Sequence, residues 1–477
     1  MAFRISLQIL CGVLSLLPTQ GLAAAQNQTA SAAASCRQLQ AVLGNVTFIG
    51  NRLGKAHLHR PARQHVRTQH VVRILTASHV PYAIRSGGHM PSPLAANINN
   101  GVLIDMAGFN EVVYDAARNI ATVGAGLKWG DVYGQLDKFN VTVVGGRVLD
   151  VGVGGGLWYL SDLYGLACDN VVNFEVVLAN GSAVNANVTS NADLFWALKG
   201  GSNNFAIVIA FTLSTYPIHN VWGGVKQYSL DQLPALMAAM TEYQSVPNKD
   251  PYANLMLQAF TTNASVGAVL NMVYLKPEAS PPAFEPFYSI STTADTTKLQ
   301  TLTEMLSWQM VPPIPRWDWF ATSFTPNASL YQEIATIVTS APELATLKAL
   351  TSGTMALGLQ PISSSLVLAG NDRGDGNALD LQSVNQTWFV LDTGWQFASD
   401  DATAYNATRA IKDRIERASR AAGDYVPYIF MNDASWDQDV LGHYGAENVR
   451  RLREVQRVYD PDLVFQELVS GGFKLNR

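Results

Sequence analysis

Residues 81–90 read Pro-Tyr-Ala-Ile-Arg-Ser-Gly-Gly-His-Met, a short apolar run that leads into a Gly-Gly pair and a single histidine. Because glycine tolerates positive φ and a close approach to a ligand, the turn at 86–88 can present backbone N–H groups to a phosphate. His89 then lies at the edge of that turn with a ring nitrogen available for chemistry. A strand followed by a turn without a function explains the same residues. Two further glycine-rich stretches, 145–156 and 200–205, favour the functional interpretation.

Length and composition limit the class of protein. With 477 residues, 48% of them hydrophobic and only 14% charged, the chain can form two or three compact domains. Its formal net charge of -5 includes no basic stripe, which argues against a nucleic acid as partner. We expect a monomer that acts on a small molecule.

The N-terminus has the pattern of a secretory signal. Arg4 precedes an apolar run at 5–17 that is too short to span a bilayer, and small residues follow at 23–25. We therefore expect a signal peptide at 1–24, a secreted, extracellular protein and no membrane contact after cleavage. A retained anchor is the weaker alternative, because no basic flank supports it. Asn-x-Ser/Thr triplets agree with export and glycosylation. Their asparagines are Asn27, Asn45, Asn140, Asn180, Asn187, Asn263, Asn327, Asn385 and Asn406.

Two cysteines, Cys36 and Cys168, remain after removal of the signal peptide. In an oxidising compartment they can form one disulfide, and the sequence leaves their pairing open. Two thiols without a His-x-x-x-His or Cys-x-x-Cys spacing do not make a zinc site, so we predict no metal.

Residues 36–216 alternate short apolar runs with Gly and Asn, which predicts short strands with helices between them. We expect Thr68 to cap the first of these helices. A second predicted helix carries apolar residues at helical spacing, and packing in the core explains these residues without a functional role. They are Trp129, Val132, Tyr133 and Leu136.

From residue 217 to 426 the pattern changes to antiparallel-looking strands alternating with helices. This part contains a group of tryptophans, most of them expected in the core and one or two available to line a pocket that suits aromatic groups. They are Trp308, Trp317, Trp319, Trp388 and Trp395. The remaining part, 427–477, is predicted to begin with a strand at 428–432 and to contain an amphipathic helix.

Several ordered motifs together resemble one family. They are Arg-Ser-Gly-Gly-His at 85–89, Val-Gly-Ala-Gly at 123–126, Val-Gly-Gly-Arg at 144–147, Asp-Val-Gly-Val-Gly-Gly at 150–155, Tyr-Gly-Leu-Ala-Cys-Asp-Asn at 164–170, Asp-Leu-Phe-Trp-Ala-Leu-Lys-Gly-Gly at 193–201, Asn-Asp at 432–433 and Tyr-Asp-Pro at 459–461. The set resembles the vanillyl-alcohol-oxidase type of FAD-linked oxidase. Within that type it is most similar to the berberine-bridge-enzyme-like branch and its secreted fungal members.

The resemblance implies an α+β fold. A PCMH-type FAD-binding domain in two parts would occupy 36–216, and a substrate domain with an antiparallel sheet covered by helices would occupy 217–426. A C-terminal berberine-bridge-like segment at 427–477 would return to the FAD domain. The implied activity is removal of hydride from a C–H next to O or N in a small organic substrate, with O2 reoxidising the flavin to give H2O2.

The resemblance also implies a covalent bond between FAD and His89. Such a link raises the flavin potential and prevents loss of the cofactor outside the cell. Val148 stands where some relatives carry a second, cysteine link, so we expect a single bond. Turns of successive amides would hold the pyrophosphate. The implied cofactor-binding residues are Arg85, Ser86, Gly87, Gly88, His89, Gly152, Val153, Gly154, Gly155 and Asn432.

Asp433 follows Asn432, which resembles the family's flavin-facing asparagine, and stands at the position where sugar-oxidising relatives carry a tyrosine. We expect Asp433 to take the substrate's hydroxyl proton if burial raises its pKa. A turn-forming aspartate explains the same residue. Tyr428 is the second catalytic candidate, although alternation along a strand places it on the face opposite Asp433. The aspartate and the tryptophans favour a hydrophobic, aromatic or polyketide-like substrate over a sugar.

Four departures from the family pattern bear on flavin binding. A basic stretch at 50–67 replaces the usual strand pair, so we expect one strand of the FAD domain to be missing. The glycine loop at 152–160 is shortened, and Asn-Asn-Phe-Ala at 203–206 replaces Gly-Asn-Phe-Gly. The fourth is Asp433 itself. The first two departures support an alternative of another class: an inactive secreted glycoprotein that lacks flavin.

Overall fold

The computed structural model describes residues 34, 55–57, 61–93, 95–263, 266–307, 313–373 and 376–475, with the backbone alone described at 55–57 and 61–64. The expected signal peptide, Cys36 and Trp308 lie outside these residues. Within them, no helix combines the length and apolar character that crossing a bilayer requires. The same residues contain no group of three or more His, Cys, Asp or Glu side chains arranged to hold a metal.

A small parallel sheet carries the turn that precedes His89. Its strands run in the order β1-β3-β2. One strand does form within 50–67: β1 pairs with β3 through its backbone at the edge of the sheet, where basic side chains are tolerated. The expected loss of one strand of the usual pair stays a prediction. The first helix begins at a proline, which suits the first helical position, so Thr68 is a buried interior residue and does not cap it. The elements are β1 (Lys55–His57), α1 (Pro61–Ala77), β2 (Tyr82–Arg85) and β3 (Val102–Asp105).

An antiparallel sheet of six strands forms the rest of the N-terminal half, in the order β4-β5-β9-β7-β8 with β6 on β9. The predicted helical stripe at 129–136 is confirmed, since all four of its apolar residues are buried. The elements are β4 (Val112–Asp115), β5 (Ile120–Gly124), α2 (Trp129–Leu136), β6 (Thr142–Val143), α3 (Ser161–Tyr164), β7 (Val171–Leu178), β8 (Ala183–Ala186), α4 (Ala192–Leu198) and β9 (Ala206–Tyr216).

A nine-stranded sheet dominates the middle of the chain, in the order β13-β10-β12-β11-β16-β17-β15-β18 with β14 on β10. Its strand elements are β10 (Asn220–Tyr228), β11 (Ala253–Phe260), β12 (Ala268–Tyr274), β13 (Ala294–Asp295), β14 (Lys298–Thr301), β15 (Arg316–Phe324), β16 (Thr354–Ile362), β17 (Gln386–Trp395) and β18 (Tyr425–Val426). The intervening helices are α5 (Leu233–Ser245), α6 (Glu285–Tyr288), α7 (Leu302–Leu306), α8 (Ala328–Ser340), α9 (Glu343–Ala349), α10 (Ser364–Asn371) and α11 (Asp401–Ala422).

Strand alternation gives this sheet two different faces. Leu357, Phe389 and Leu391 point to the face that packs on α5, α8 and α11, where they form a hydrophobic core. Trp388 and Ala321 point the other way and belong to the core shared with the N-terminal half. The antiparallel sheet covered by helices therefore has its second face turned toward the region that carries His89.

The C-terminal part contains α12 (Ala446–Tyr459) and α13 (Val464–Glu467). The predicted strand at 428–432 is wrong: β18 ends at Val426, and Met431–Asp433 forms a short 3₁₀ turn. Pro427, which cannot donate a hydrogen bond, ends the strand pairing there. After α13 the chain returns to β2, where Tyr82 N donates to Leu468 O (2.8 Å) and Ser470 N donates to Tyr82 O (3.0 Å).

Candidate active site

Two glycine segments touch at the centre of the candidate site. The chain leaves β2 and turns through Gly88, whose φ of 72° favours glycine. A Cβ atom on Gly87 would lie 2.6 Å from the backbone N of Gly152, so this crossing requires glycine. Ser86 Oγ donates to the carbonyl of Ala125 (2.6 Å) and fixes the turn from the other side.

Free backbone donors surround this crossing. Within the described part of the chain, no hydrogen bond uses the N–H groups of Gly87, Gly88, Gly154 or Gly155. A Cβ on Gly154 or Gly155 would meet nothing within 4 Å, so both glycines border open space. Unpaired amides around an open concavity favour an anion. The residues present therefore fit the pyrophosphate of FAD.

The side chains of Val153 and Arg85, two of the predicted cofactor-binding residues, contact other residues of the protein. The side chain of Val153 is buried in the core, and its N–H already donates to Leu127 O (3.3 Å). Arg85 Nε donates to Ala96 O (3.1 Å), and its aliphatic stem lies against Gly88. Arg85 therefore braces the turn, while Val153 supports the second glycine segment from the core.

His89 is half-buried, and its imidazole stacks on the indole of Trp319 with ring centroids 5.2 Å apart. Burial lowers the pKa of His89. The carboxylate of Asp150 opposes this shift and the ammonium of Lys128 adds to it. Lys128 Nζ and Asp150 Oδ1 form an ion pair of 3.2 Å beside the histidine. The neutral imidazole carries the nitrogen lone pair that a covalent link to a cofactor requires.

Trp319 stands on the face of the large sheet that is turned toward His89, and it brings further polar groups into the site. Asp392 on β17 lies directly opposite Trp319 on β15 and opposite Ala356 on β16. Gln360 lies four residues after Ala356 and shares its face. The strand register therefore places Trp319, Asp392 and Gln360 on one side of the sheet.

The predicted base, Asp433, belongs to a polar cluster on this face. Its Oδ2 accepts from Gln360 Nε2 (2.6 Å), and Gln360 Oε1 accepts from the guanidinium of Arg147. Burial raises the pKa of Asp433 to about 6, against the opposing effects of Gln360 and Arg147. Burial and the nearby charge of Asp433 raise the pKa of Asp392 to about 8. Near neutral pH the two carboxyl groups together hold about one proton.

The other two residues predicted on this segment have different surroundings. Tyr428 is buried between Trp388 (centroids 4.9 Å apart) and Tyr444 (6.2 Å), and burial raises its pKa well above the usual phenol value. A buried phenol of this kind is a poor proton acceptor, so the structure does not support Tyr428 as the base. The side chain of Asn432 is exposed beside Asp433. Because no strand forms here, the predicted alternation of faces does not apply.

The sequence reasoning missed Asp392, Arg147 and Gln360 as site residues. Asp392 directly follows the apolar run at 388–391, and a lone acid after such a run was the available signal. Arg147 directly follows the Gly-Gly pair at 145–146. Gln360 had no local signal, because its role depends on contacts with residues far away in the sequence.

Comparisons with known proteins agree with this geometry. Residues 62–187 match the model of a FAD binding domain family. The FAD-dependent monooxygenase tpcD of Cochliobolus heterostrophus is 35% identical over 433 residues, covering 85% of this chain and 82% of that protein. The bifunctional solanapyrone synthase of Alternaria solani is 36% identical over 415 residues, covering 85% and 78%.

A solved structure shows the same fold. BBE-like 1 of Physcomitrella patens superposes with a TM-score of 0.71 over 91% of this chain and 98% of that chain, at 18% identity. The relatives above show common descent, since their identity exceeds a third over most of both chains. The chain therefore belongs to the family of FAD-dependent oxidoreductases that includes the two fungal relatives above.

Proposed function

We propose that this protein is a secreted oxidase that oxidises a small organic substrate at a carbon next to oxygen or nitrogen, with FAD bound covalently through His89. Reoxidation by O2 would give H2O2. The observation that carries the proposal is the position of the carboxyl pair Asp392 and Asp433. The pair belongs to the sheet face that also bears Trp319, and Trp319 contacts His89.

Bound FAD supplies the acceptor for the hydrogen and the two electrons that leave the substrate carbon. The residues of the chain handle the remaining proton. At pH 7 Asp433, with a pKa of about 6, is mostly ionised. Its Oδ2 is engaged by Gln360, so Oδ1 accepts the proton of the substrate's hydroxyl group. Asp392, with a pKa of about 8, keeps its proton and donates a hydrogen bond to a substrate oxygen.

The test is flavin reduction in a single turnover without oxygen. We expect Asp433→Asn to slow reduction by about 100-fold and to remove the rise of the rate near pH 6. Asp462→Asn is the matched control, because this carboxyl is exposed outside the site. A fall of less than about threefold with an unchanged pH profile would overturn the role of Asp433.

Export and a place in secondary metabolism form the second half of the proposal. Export is supported by the apolar run at 5–17 and by exposed sequon asparagines, among them Asn140, Asn180 and Asn406. The fungal relatives, which include a solanapyrone synthase, support secondary metabolism. Mature protein should begin near residue 24 or 25 and lose mass on deglycosylation. An intact Met1 without glycan would contradict export.

The competing hypothesis is a secreted glycoprotein without flavin. The pairing of β1 and the free amides of the shortened glycine loop favour the enzyme instead. The colour of the purified protein distinguishes the two hypotheses. An enzyme with covalent FAD gives yellow protein that remains yellow after acid precipitation, and a colourless preparation would contradict the proposed oxidase. Because relatives are named monooxygenases, product analysis under labelled O2 should accompany peroxide assays. We expect peroxide and no label in the product.

A further inference from the structure

The outer edge of β15 is completed by a side chain. Strand β18 pairs with β15 only at Ser323 and Phe324. At Ala321, the carboxamide of Gln438 takes over: Ala321 N donates to Gln438 Oε1 (2.9 Å), and Gln438 Nε2 donates to Ala321 O (2.8 Å). The carboxamide thus reproduces the pair of hydrogen bonds that a strand residue would form.

A second contact joins the same two segments. Ser435 N donates to Gln438 Oε1 (3.0 Å), and Ser435 Oγ donates to Asp318 Oδ1 (3.0 Å). Asp318 is buried on β15, so it offers a fixed acceptor rather than a mobile surface group. Residues 435–438 are therefore attached to residues 318–321 at both ends.

This attachment lies next to the site on both segments. Asp433 precedes Ser435 by two residues, and Trp319 lies between the two attached positions of β15. The site face of Trp319 and the edge held by Gln438 belong to the same short piece of strand. A shift of 435–438 along β15 would move Asp433 relative to Trp319 and to Gln360, its hydrogen-bond donor.

We infer that Gln438 is a positioning residue, which holds the segment bearing Asp433 at a fixed place on the strand bearing Trp319. The inference rests on the proposed function of Asp433. Glutamine suits this place because one side chain must both accept and donate. Glutamate loses the donor, methionine loses both groups, and asparagine is one methylene too short to reach.

The first experiment is a double-mutant cycle on anaerobic flavin reduction at saturating substrate. We expect Gln438→Met to slow reduction by about 10- to 100-fold and to shift the pH midpoint near 6. In the Asp433→Asn background it should have almost no further effect. If Gln438→Met folds poorly, Gln438→Glu replaces it in the same experiment, because glutamate is closer to glutamine in shape. An equal loss in both backgrounds would overturn the inference.

The second experiment does not depend on the role of Asp433. Hydrogen exchange of peptides covering 427–440 should quicken in Gln438→Met. Gln332→Met is the matched control, since Gln332 also donates to a backbone carbonyl, that of Pro234 (2.9 Å), but on another part of the protein. Unchanged exchange at 427–440 would overturn positioning. A silent Asp433→Asn with faster exchange would instead overturn only the proposed base.

Discussion

The imidazole of His89 and the indole of Trp319 lie nearly parallel, at 20°, with their centroids 5.2 Å apart. This stack joins the turn after the small parallel sheet to β15, the last strand but one of the large antiparallel sheet. The site is therefore assembled by both halves of the chain. Neither half alone contains the histidine, the tryptophan and the carboxyl pair.

His89→Ala tests the covalent link. We expect the variant to lose all acid-stable flavin while it keeps some flavin bound through the amides of the two glycine segments. The measurement is absorbance of the pellet and the supernatant after acid precipitation. Trp319→Leu is the comparison, because it removes the stack and leaves the imidazole. Acid-stable flavin in the His89 variant would assign the link to another residue.

The glycine crossing predicts different outcomes for two similar substitutions. Gly87→Ala forces a Cβ to within 2.6 Å of Gly152 N, so we expect a lower unfolding temperature and little flavin. Gly154→Ala adds a methyl group to open space, so we expect an unchanged unfolding temperature without flavin but weaker flavin binding. Differential scanning fluorimetry and flavin titration of both variants check this. Equal thermal losses would contradict the close contact.

A buried ion pair joins α3, the short helix after the glycine segment at 152–156, to the loop between α5 and β11. Lys249 and Asp162 pair where both side chains are almost inaccessible, and the Lys249 ammonium lies 5.0 Å from the ring centroid of Tyr243. Lys249→Met leaves a buried carboxylate without its cation, which should cost about 3–5 kcal/mol of unfolding free energy.

The pair has an exposed counterpart in Arg118 and Asp115, where Arg118→Met should change stability little. Chemical denaturation of both variants gives the comparison. Adding Asp162→Asn to Lys249→Met should recover part of the loss, since no buried charge then remains. Similar small losses for both single variants would show that the Lys249 pair is solvated.

The raised pKa of Asp392 predicts that the free energy of unfolding falls as the pH rises. Its pKa of about 8 in the folded protein exceeds the ordinary 3.8, so the folded state holds this proton more tightly. The stability that this tighter proton binding contributes is fully present below about pH 4 and is lost progressively until the pH passes about 8. Asp392→Asn, which carries no charge, should therefore gain unfolding temperature over wild type more at pH 8 than at pH 5. The same difference at both pH values would contradict burial of this carboxyl group.

Local sequence patterns predicted those parts of the protein whose structure depends on residues close together in the sequence. The helix at 129–136 was predictable because its apolar spacing survives in the packed protein. The motif after β2 indicated the cofactor, and the comparisons confirm FAD. Strand β1 was missed because its pairing comes from the backbone, whereas the basic composition of 50–67 suggested none.

The catalytic side of the site was less accessible to sequence reasoning. Asp433 was predicted from the sequence, but Gln360 and Arg147, which oppose the rise of its pKa on burial, come from two distant segments. The run at 428–430 is apolar like a strand, yet it packs in irregular backbone against Trp388. Hydrophobic patterning indicates burial there and gives no information on how the backbone pairs.

The pairing of Tyr82 with residues 468–470 has a consequence for biosynthesis. The turn at 86–88 begins four residues after Tyr82, yet the strand that leads to it is paired by residues 468–470, which are translated much later. A nascent chain that has passed residue 90 still lacks this support until residue 470 has emerged. A ribosome that stops before residue 468 therefore releases a chain in which the strand before the turn at 86–88 lacks these hydrogen bonds.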